Sequence, residues 1–285
     1  MTLTVRTGDG GGDLLPAVID SELRWSAERD GKVELTVSLI DADGDRAASP
    51  LLQPDAWLEL AGVPLVLRNV RRQGRRRELR TIWQDATSLE LSRVSESEVT
   101  APDTSTVDRW VRQVVREVSL PDGSTPSAIV EDGSRLADDE DQDQLFRGGD
   151  DDEGRDETSW DALERLGDAC DPPRQRFSTG VAVVFASVGW LADGQLEGAA
   201  PFEWDDTVAD RVDWEWDVGE PADSAVVHVW VDRLDAVRAG VPVRLRVPGP
   251  ASDGVWLAEQ VTVEQPLAQP PFETKVALTR PEGLR

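Results

Sequence analysis

The chain offers chemistry an unusual supply of side chains. In 285 residues there are 34 Asp, 22 Glu, 28 Arg and 2 Lys, but one His and one Cys. Cys170 and His228 are therefore the one thiol–imidazole couple available for nucleophilic catalysis. Cys170 stands at the apolar end of a predicted helix, where a thiol is usually an inert core residue. His228 alternates with Val226 and Trp230 on a predicted strand, which makes it a packing or interface histidine. Asp41, Asp43, Gly44 and Asp45 resemble part of a calcium loop, but an EF-hand needs Gly sixth and a bidentate Glu twelfth. Here Gly is fourth and the twelfth residue is Leu52, so the stretch reads as an acidic turn. Gly8–Gly12 neither follows a strand nor opens a Lys-Ser/Thr helix, which argues against a phosphate loop. Paired carboxylates for glycoside cleavage need one raised pKa in an apolar pocket. The densest acids instead fill residues 138–157, which have too few apolar side chains for a core. No catalytic, cofactor-binding or metal-binding residue is assigned, no cofactor is expected, and the chain is expected not to be an enzyme.

The formal charge of −26 excludes sequence-independent binding to nucleic acid or anionic lipid, both of which need a basic patch. Two origins fit the charge: a haloarchaeal surface kept hydrated in molar salt, or a high-GC bacterial gene carrying an added acidic loop. Arg71, Arg72, Arg75, Arg76, Arg77 and Arg80 form the basic cluster. They are either a solvated hairpin tip or a docking point for an acidic partner, including another copy of this chain. Eleven Trp and no Tyr add aromatic bulk. Trp83, Trp110, Trp160, Trp214 and Trp216 fall in strand or helix patterns where core or subunit packing is the expectation. A lone cysteine forms no intramolecular disulfide, no apolar run reaches a membrane span, and Met1–Gly12 lacks a signal-peptide core.

The elements around these residues are mostly strands. Val33, Leu35, Val37 and Leu39 alternate with Glu34, Thr36 and Ser38, the period of a half-buried strand. Trp57–Leu60, Val63–Val70 and Arg77–Trp83 follow at hairpin spacing. Ser105–Asp108 predicts a helix start, and Val107, Trp110, Val111, Val114, Val115 and Val118 recur at helical spacing up to Leu120–Gly123. A second helix begins at Thr158 or Ser159 with Trp160, Leu163, Leu166 and Cys170 on one side, and Asp171-Pro172-Pro173 stops it. Phe177 to Trp190 reads as a hairpin. Strands return at Val212–Val218, Ala225–Val231, Val241–Val247, Val255–Val263 and Lys275–Thr279. The fold class is mainly β with a small α+β insertion. Residues 1–98 form one β-domain, 99–205 an α+β domain with the acidic loop 132–157, and 206–285 a second β-domain. The two β regions are candidates for distant copies of one fold.

The succession of segments resembles one family. "TSWDALERLGDACDPPRQRFSTGVAVVFASVGWL" at Thr158–Leu191 is similar to a Ser-Trp-x-Ala-Leu helix followed by a hairpin in the hub proteins of tailed viruses. The C-terminal "VPGPASDGVWLAEQVTVEQPLAQPPFETKVALTRP" resembles the closing strands of that family. "LRWSAERDGKVELTVSLIDADG" with "LELAGVPLVLRNVRRQGRRRELRTIWQDATSLEL" resembles its opening. Asp171-Pro172-Pro173 replaces the usual Gly-Trp, and the loop at 132–157 is longer and more acidic than in the family.

The family is the baseplate or tail-tip hub of tailed viruses and related contractile injection machines. The resemblance implies two tail-tube-like β-barrels per chain and a homotrimer forming a pseudo-hexameric ring. Such a ring joins a sixfold tail tube to a threefold tip and lines the DNA ejection channel, which an acidic wall would keep from holding DNA. Implied partners are other copies, the tube, distal tail and tape-measure proteins, and a tip fibre or spike, with no specific nucleic-acid binding. Implied placement is the virion tail tip, assembled in the host cytoplasm, and no fused lysozyme, peptidase or fibre domain is expected. The alternatives are a cellular β-rich carbohydrate- or protein-binding module using exposed Trp, and a tip-associated hydrolase.

Overall fold

The computed structural model describes residues 4–7, 10–27, 31–42, 45–73, 77–93, 106–133, 158–196, 202–215, 223–247 and 254–280. The acidic run 138–157 lies outside them, as do Asp43, Gly44, Arg75, Arg76 and Trp216. The molecule is mainly β, and its strands run antiparallel with few exceptions.

The N-terminal part contributes β1 (Thr4–Thr7), β2 (Gly10–Asp13), β3 (Val18–Ser26), β4 (Val33–Ile40), β5 (Trp57–Leu60), β6 (Val63–Gln73) and β7 (Glu78–Asp85). β4 does what its alternation dictates. Val33, Leu35, Val37 and Leu39 are buried while Glu34, Thr36 and Ser38 face outward. These strands lie in the order β3-β4-β7-β6-β5-β1-β2. The phosphate-loop candidate at Gly8–Gly12 is in its described part the strand β2, whose glycines let β1 approach closely. A Cβ on Gly11 would meet the Val5 carbonyl oxygen at 2.7 Å.

A small α+β layer follows. β8 (Ser127–Val130) runs parallel to β10 (Ala182–Ala186), with β9 (Gln175–Ser178) antiparallel on its other side. Helices α1 (Ala86–Leu91), α2 (Val107–Arg116), α3 (Ser159–Ala169) and α4 (Val188–Ala192) accompany it. α2 and α3 bury Trp110, Val111, Val114, Leu163 and Leu166 with Phe185 in a second hydrophobic cluster. Two details differ from the pattern-based reading. The N-cap of α2 is Thr106, whose side chain makes no capping bond. The hairpin read from Phe177 onward is present as β9 with β10, but it ends at Ala186: the Ser187 hydroxyl accepts the Trp190 N–H at 3.2 Å and opens α4.

The C-terminal part repeats the first. β12 (Ala209–Glu215), β13 (Ser224–Val231), β14 (Pro242–Arg246), β15 (Val255–Glu264) and β16 (Phe272–Thr279) lie in the order β12-β13-β16-β15-β14. That is the order β3-β4-β7-β6-β5 of the first sheet, strand for strand. The correspondence extends to irregularities. The β3–β4 register shifts between Val18 and Asp20, and the β12–β13 register shifts at the equivalent Ala209 and Arg211. The β6–β7 shift at Leu67/Asn69 returns in β15–β16 at Ala258/Gln260. Leu67 N–H donates to the Ala56 carbonyl at 2.9 Å, and Ala258 N–H to that of Val241 at 2.9 Å. β11 (Phe202–Asp205) extends the second sheet as a parallel neighbour of β14.

The two sheets are continuous. Gln260–Glu264 of β15 pair antiparallel with Ser26–Glu22 of β3, making one 13-stranded sheet among the described residues. β15 can serve both sheets because it changes partner along its length. Its first residues pair with β14, and beyond the bulge the same edge passes to β3. One apolar cluster runs through both halves, from Leu23, Trp25 and Leu35 to Val227, Val261 and Val276.

Candidate assembly surface

The thiol–imidazole couple does not assemble. Cys170 lies in the second hydrophobic cluster at the end of α3, while His228 sits on β13 of the long sheet. Burial pushes the Cys170 thiol up to about 11, and Arg174 only partly offsets this. A thiol held protonated and buried is a poor nucleophile. Cys170 is therefore expected to react with an aromatic disulfide reagent at least about a hundredfold more slowly in the native protein than in urea. Equal rates in the two conditions would contradict its placement.

Asp41 is a staple within the acidic turn. It is 2% exposed, and its carboxylate accepts the Arg46 N–H and an Arg72 N–H, each at 2.9 Å. The Arg46 backbone bond, with help from Arg72, holds its pKa below the ordinary carboxylate value. No cluster of three metal-ligating side chains occurs among the described residues. One limb of the basic cluster is thereby explained, since Arg72 neutralises Asp41. Arg71 and Arg80 are exposed and stand opposite each other across β6 and β7.

The tryptophans divide the same way. Trp83, Trp110 and Trp160 are core, and half-buried Trp214 meets Trp256 with ring centroids 5.8 Å apart. Trp230 is 55% exposed at the end of β13, and Ile40 is 49% exposed at the equivalent end of β4. Trp230 faces Glu273 across the ladder as Ile40 faces Glu78. The two sheets thus present matching apolar studs at one rim.

The long sheet has one face packed on the core and one open. Across the open face a single row runs Arg211, His228, Lys275, Thr262, Arg24 and Glu34, read from the pairing of β12, β13, β16, β15, β3 and β4. His228 lies between Asp213 at 3.6 Å and Glu273 at 3.8 Å, and the Lys275 ammonium is bonded to Glu264. Acids and bases are interleaved here, in contrast to the strongly acidic chain as a whole. Two cavities, of about 440 and 540 Å³, lie where the α+β layer meets the sheets. Their mixed linings hold no constellation of nucleophile and base.

The layer and the sheets are locked by Asp85, a residue that no sequence motif singled out. It caps α1 and is fully buried. Its carboxylate accepts Val33 N–H at 2.9 Å, Ser88 N–H and hydroxyl each at 2.8 Å, and the Ser178 hydroxyl at 2.6 Å. Thr87 adds a bond to the Gly180 carbonyl at 3.1 Å, and Ser178 N–H donates to Gly31. Gly180 has φ +93°, and a Cβ there would lie 2.4 Å from Val63, so the backbone closes directly on β6.

No family model matches the chain, and no curated protein matches it. Solved structures do. A 43 kDa tail protein of prophage MuSo2 from Shewanella oneidensis superposes with a TM-score of 0.59 at 11% identity, over 100% of this chain and 99% of that one. The prophage tail protein gp18 from Listeria monocytogenes gives 0.61 at 8% identity, over 99% and 95%. A tail protein from Neisseria meningitidis gives 0.57 at 12% identity, over 99% and 97%. At such identities the likeness establishes the fold: the chain has the fold of phage tail proteins from end to end.

Proposed function

We propose that this chain is a structural protein of a virus tail, a trimeric hub joining a sixfold tail tube to a threefold tip. The observation that carries the reading is the duplication. One chain holds two sheets with the same strand order and the same bulges, joined edge to edge, so three copies present six equivalent sheets. Closed homo-oligomers with equivalent contacts are the common outcome for such repeated edges. The α+β layer, taken as 99–205 between β-domains 1–98 and 206–285, would sit outside the ring. The interleaved open face would line the channel for DNA and tape-measure protein. A wall so composed is near neutral in its described part, so it lets a phosphate backbone slide rather than repelling it strongly as an acidic wall would. The role is mechanical, carried out in the virion tail tip with tube, distal tail and tip proteins as neighbours. A salt-adapted surface is part of the reading, because 56 acids stand against 30 Lys and Arg in the chain.

The test is the solution mass by light scattering in dilute buffer and in molar salt, with negative-stain imaging of the same samples. A three-copy ring with a central hole, capping recombinant tail tube, is the expected result. A strict monomer in every salt condition that ignores tail components would overturn the reading.

A further inference from the structure

Besides the short strands β2 and β11, which pair only with β1 and β14, two longer edges of the long sheet are open among the described residues. β12 pairs only with β13, and β6 beyond Leu67 pairs only with β7. Open strands without proline or a covering element invite another strand. Both stretches, Leu67–Gln73 and Ala209–Glu215, lack proline. The internal repeat gives these two edges a relation to each other. β6 is the counterpart of β15, and β12 is the counterpart of β3. Within the chain, β15 pairs with β14 through Leu257, passes its bulge, and hands the same edge to β3. β6 likewise pairs with β5 through Val66 and passes its bulge, and there no strand follows among the described residues.

We propose that the free length of β6 pairs antiparallel with β12 of a second copy, in the register of the β15–β3 seam. This names the partner surface of the hub reading and rests on that reading. The register follows from the seam. Thr262 faces Arg24 and Glu264 faces Glu22 in one chain, so Arg71 faces Glu215 and Gln73 faces Asp213 between copies. Charge supports the assignment. Arg71 already stands beside Arg80, and two like charges directly opposite on a sheet are unfavourable. The same register brings the Glu215 backbone position opposite Arg71, an acid in the sequence against a base. The basic hairpin then docks on this same acidic chain. The contact is heterologous, one edge onto a different edge, so each copy uses both edges once, and a rotation of a third of a turn per copy closes the set as the three-copy ring of the hub reading.

The experiment uses the full chain with Arg71→Cys and Glu215→Cys combined, oxidised and run on a non-reducing gel. Directly opposite residues on antiparallel strands have Cα atoms about 4.5–5.5 Å apart, within disulfide reach. The expected result is covalent dimers and trimers from this pair. Arg71→Cys with Asp213→Cys, displaced by two residues, should yield about tenfold less product. As a second variant, Arg71→Glu should weaken self-association about tenfold, with Glu215→Arg in the same chain restoring it. A chain that sizes as a trimer, yet links no better through 71/215 than through 71/213 and shows no charge-swap rescue, overturns the strand pairing while the hub reading stands on another contact. A chain that is monomeric throughout overturns both.

Discussion

An Asp85→Ala variant is expected to lose about 3–5 kcal/mol of unfolding free energy. The estimate comes from what the carboxylate holds. Losing an N-cap costs about 0.5–2 kcal/mol. Each buried donor left without an acceptor costs about 1–3 kcal/mol, and the Val33 and Ser88 N–H groups both donate to this carboxylate. The Ser178 and Ser88 hydroxyls can rotate, so they add less. The loss falls at one place, where β4, α1 and β9 meet, so the α+β layer should loosen from the sheet before the sheet itself unfolds. Urea unfolding followed by Trp fluorescence, with limited proteolysis in parallel, reads both effects.

The Asn variant separates charge from shape. Asp85→Asn keeps one acceptor oxygen but points its amide at the Val33 N–H, so a loss of about 1–3 kcal/mol is expected. Burial pushes the Asp85 carboxyl above the ordinary carboxylate value, against the pull of its Ser178, Ser88 and Val33 bonds. The folded state then holds this proton more tightly than the unfolded state. Its stabilising contribution is full in acid and is lost as pH rises through the raised folded value. The advantage of the native protein over Asp85→Asn should therefore shrink as pH climbs from about 4. An advantage that grows with pH would show that the four hydrogen bonds outweigh burial.

Where one residue decided one contact, the sequence was readable. The alternation of Val33 to Leu39 gave β4 and its buried face, and Trp110 with Val111, Val114 and Val115 gave the buried side of α2. Trp160, Leu163 and Leu166 gave α3. Elements that owe their form to neighbours were not readable. β8 is four residues of middling burial held by a parallel partner 55 residues further on, as the Ser127–Ala182 pairing shows. β2 is three glycines and an aspartate, a strand only because β1 pairs with it. The duplication is not legible as a sequence repeat, because equivalent positions of the two sheets hold different residues. Leu23 corresponds to Trp214 and Leu67 to Ala258, while Glu78/Glu273 and Arg80/Lys275 kept their charge on the open face. Backbone register preserved what side chains did not. The Arg cluster left two readings open from composition alone: Arg72 neutralises Asp41 inside the chain, while Arg71 stands exposed opposite Arg80.

The second large effect follows from the same duplication, because one change at equivalent positions should have opposite consequences. Val261 is fully buried on β15, facing Trp25 on one side and Val276 on the other. Val261→Asp puts an unpaired carboxylate into the seam between the sheets, and a loss of about 4 kcal/mol or more is expected. Val70 holds the equivalent place on β6, partly buried against the same core, with Thr81 on one side and the open edge on the other. Val70→Asp can turn its charge toward water at that edge, so it should cost the isolated chain only about 1 kcal/mol. In the proposed ring that edge would be covered by β12 of the next copy, and the carboxylate would have no water left to reach. Val70→Asp should thus leave the urea midpoint of the monomer nearly unchanged while abolishing the three-copy species in light scattering. Val261→Asp should lower the midpoint whatever the state of assembly. If Val70→Asp still forms the ring, β6 is not the edge on which copies meet. If both variants unfold alike, β6 is already covered within the single chain.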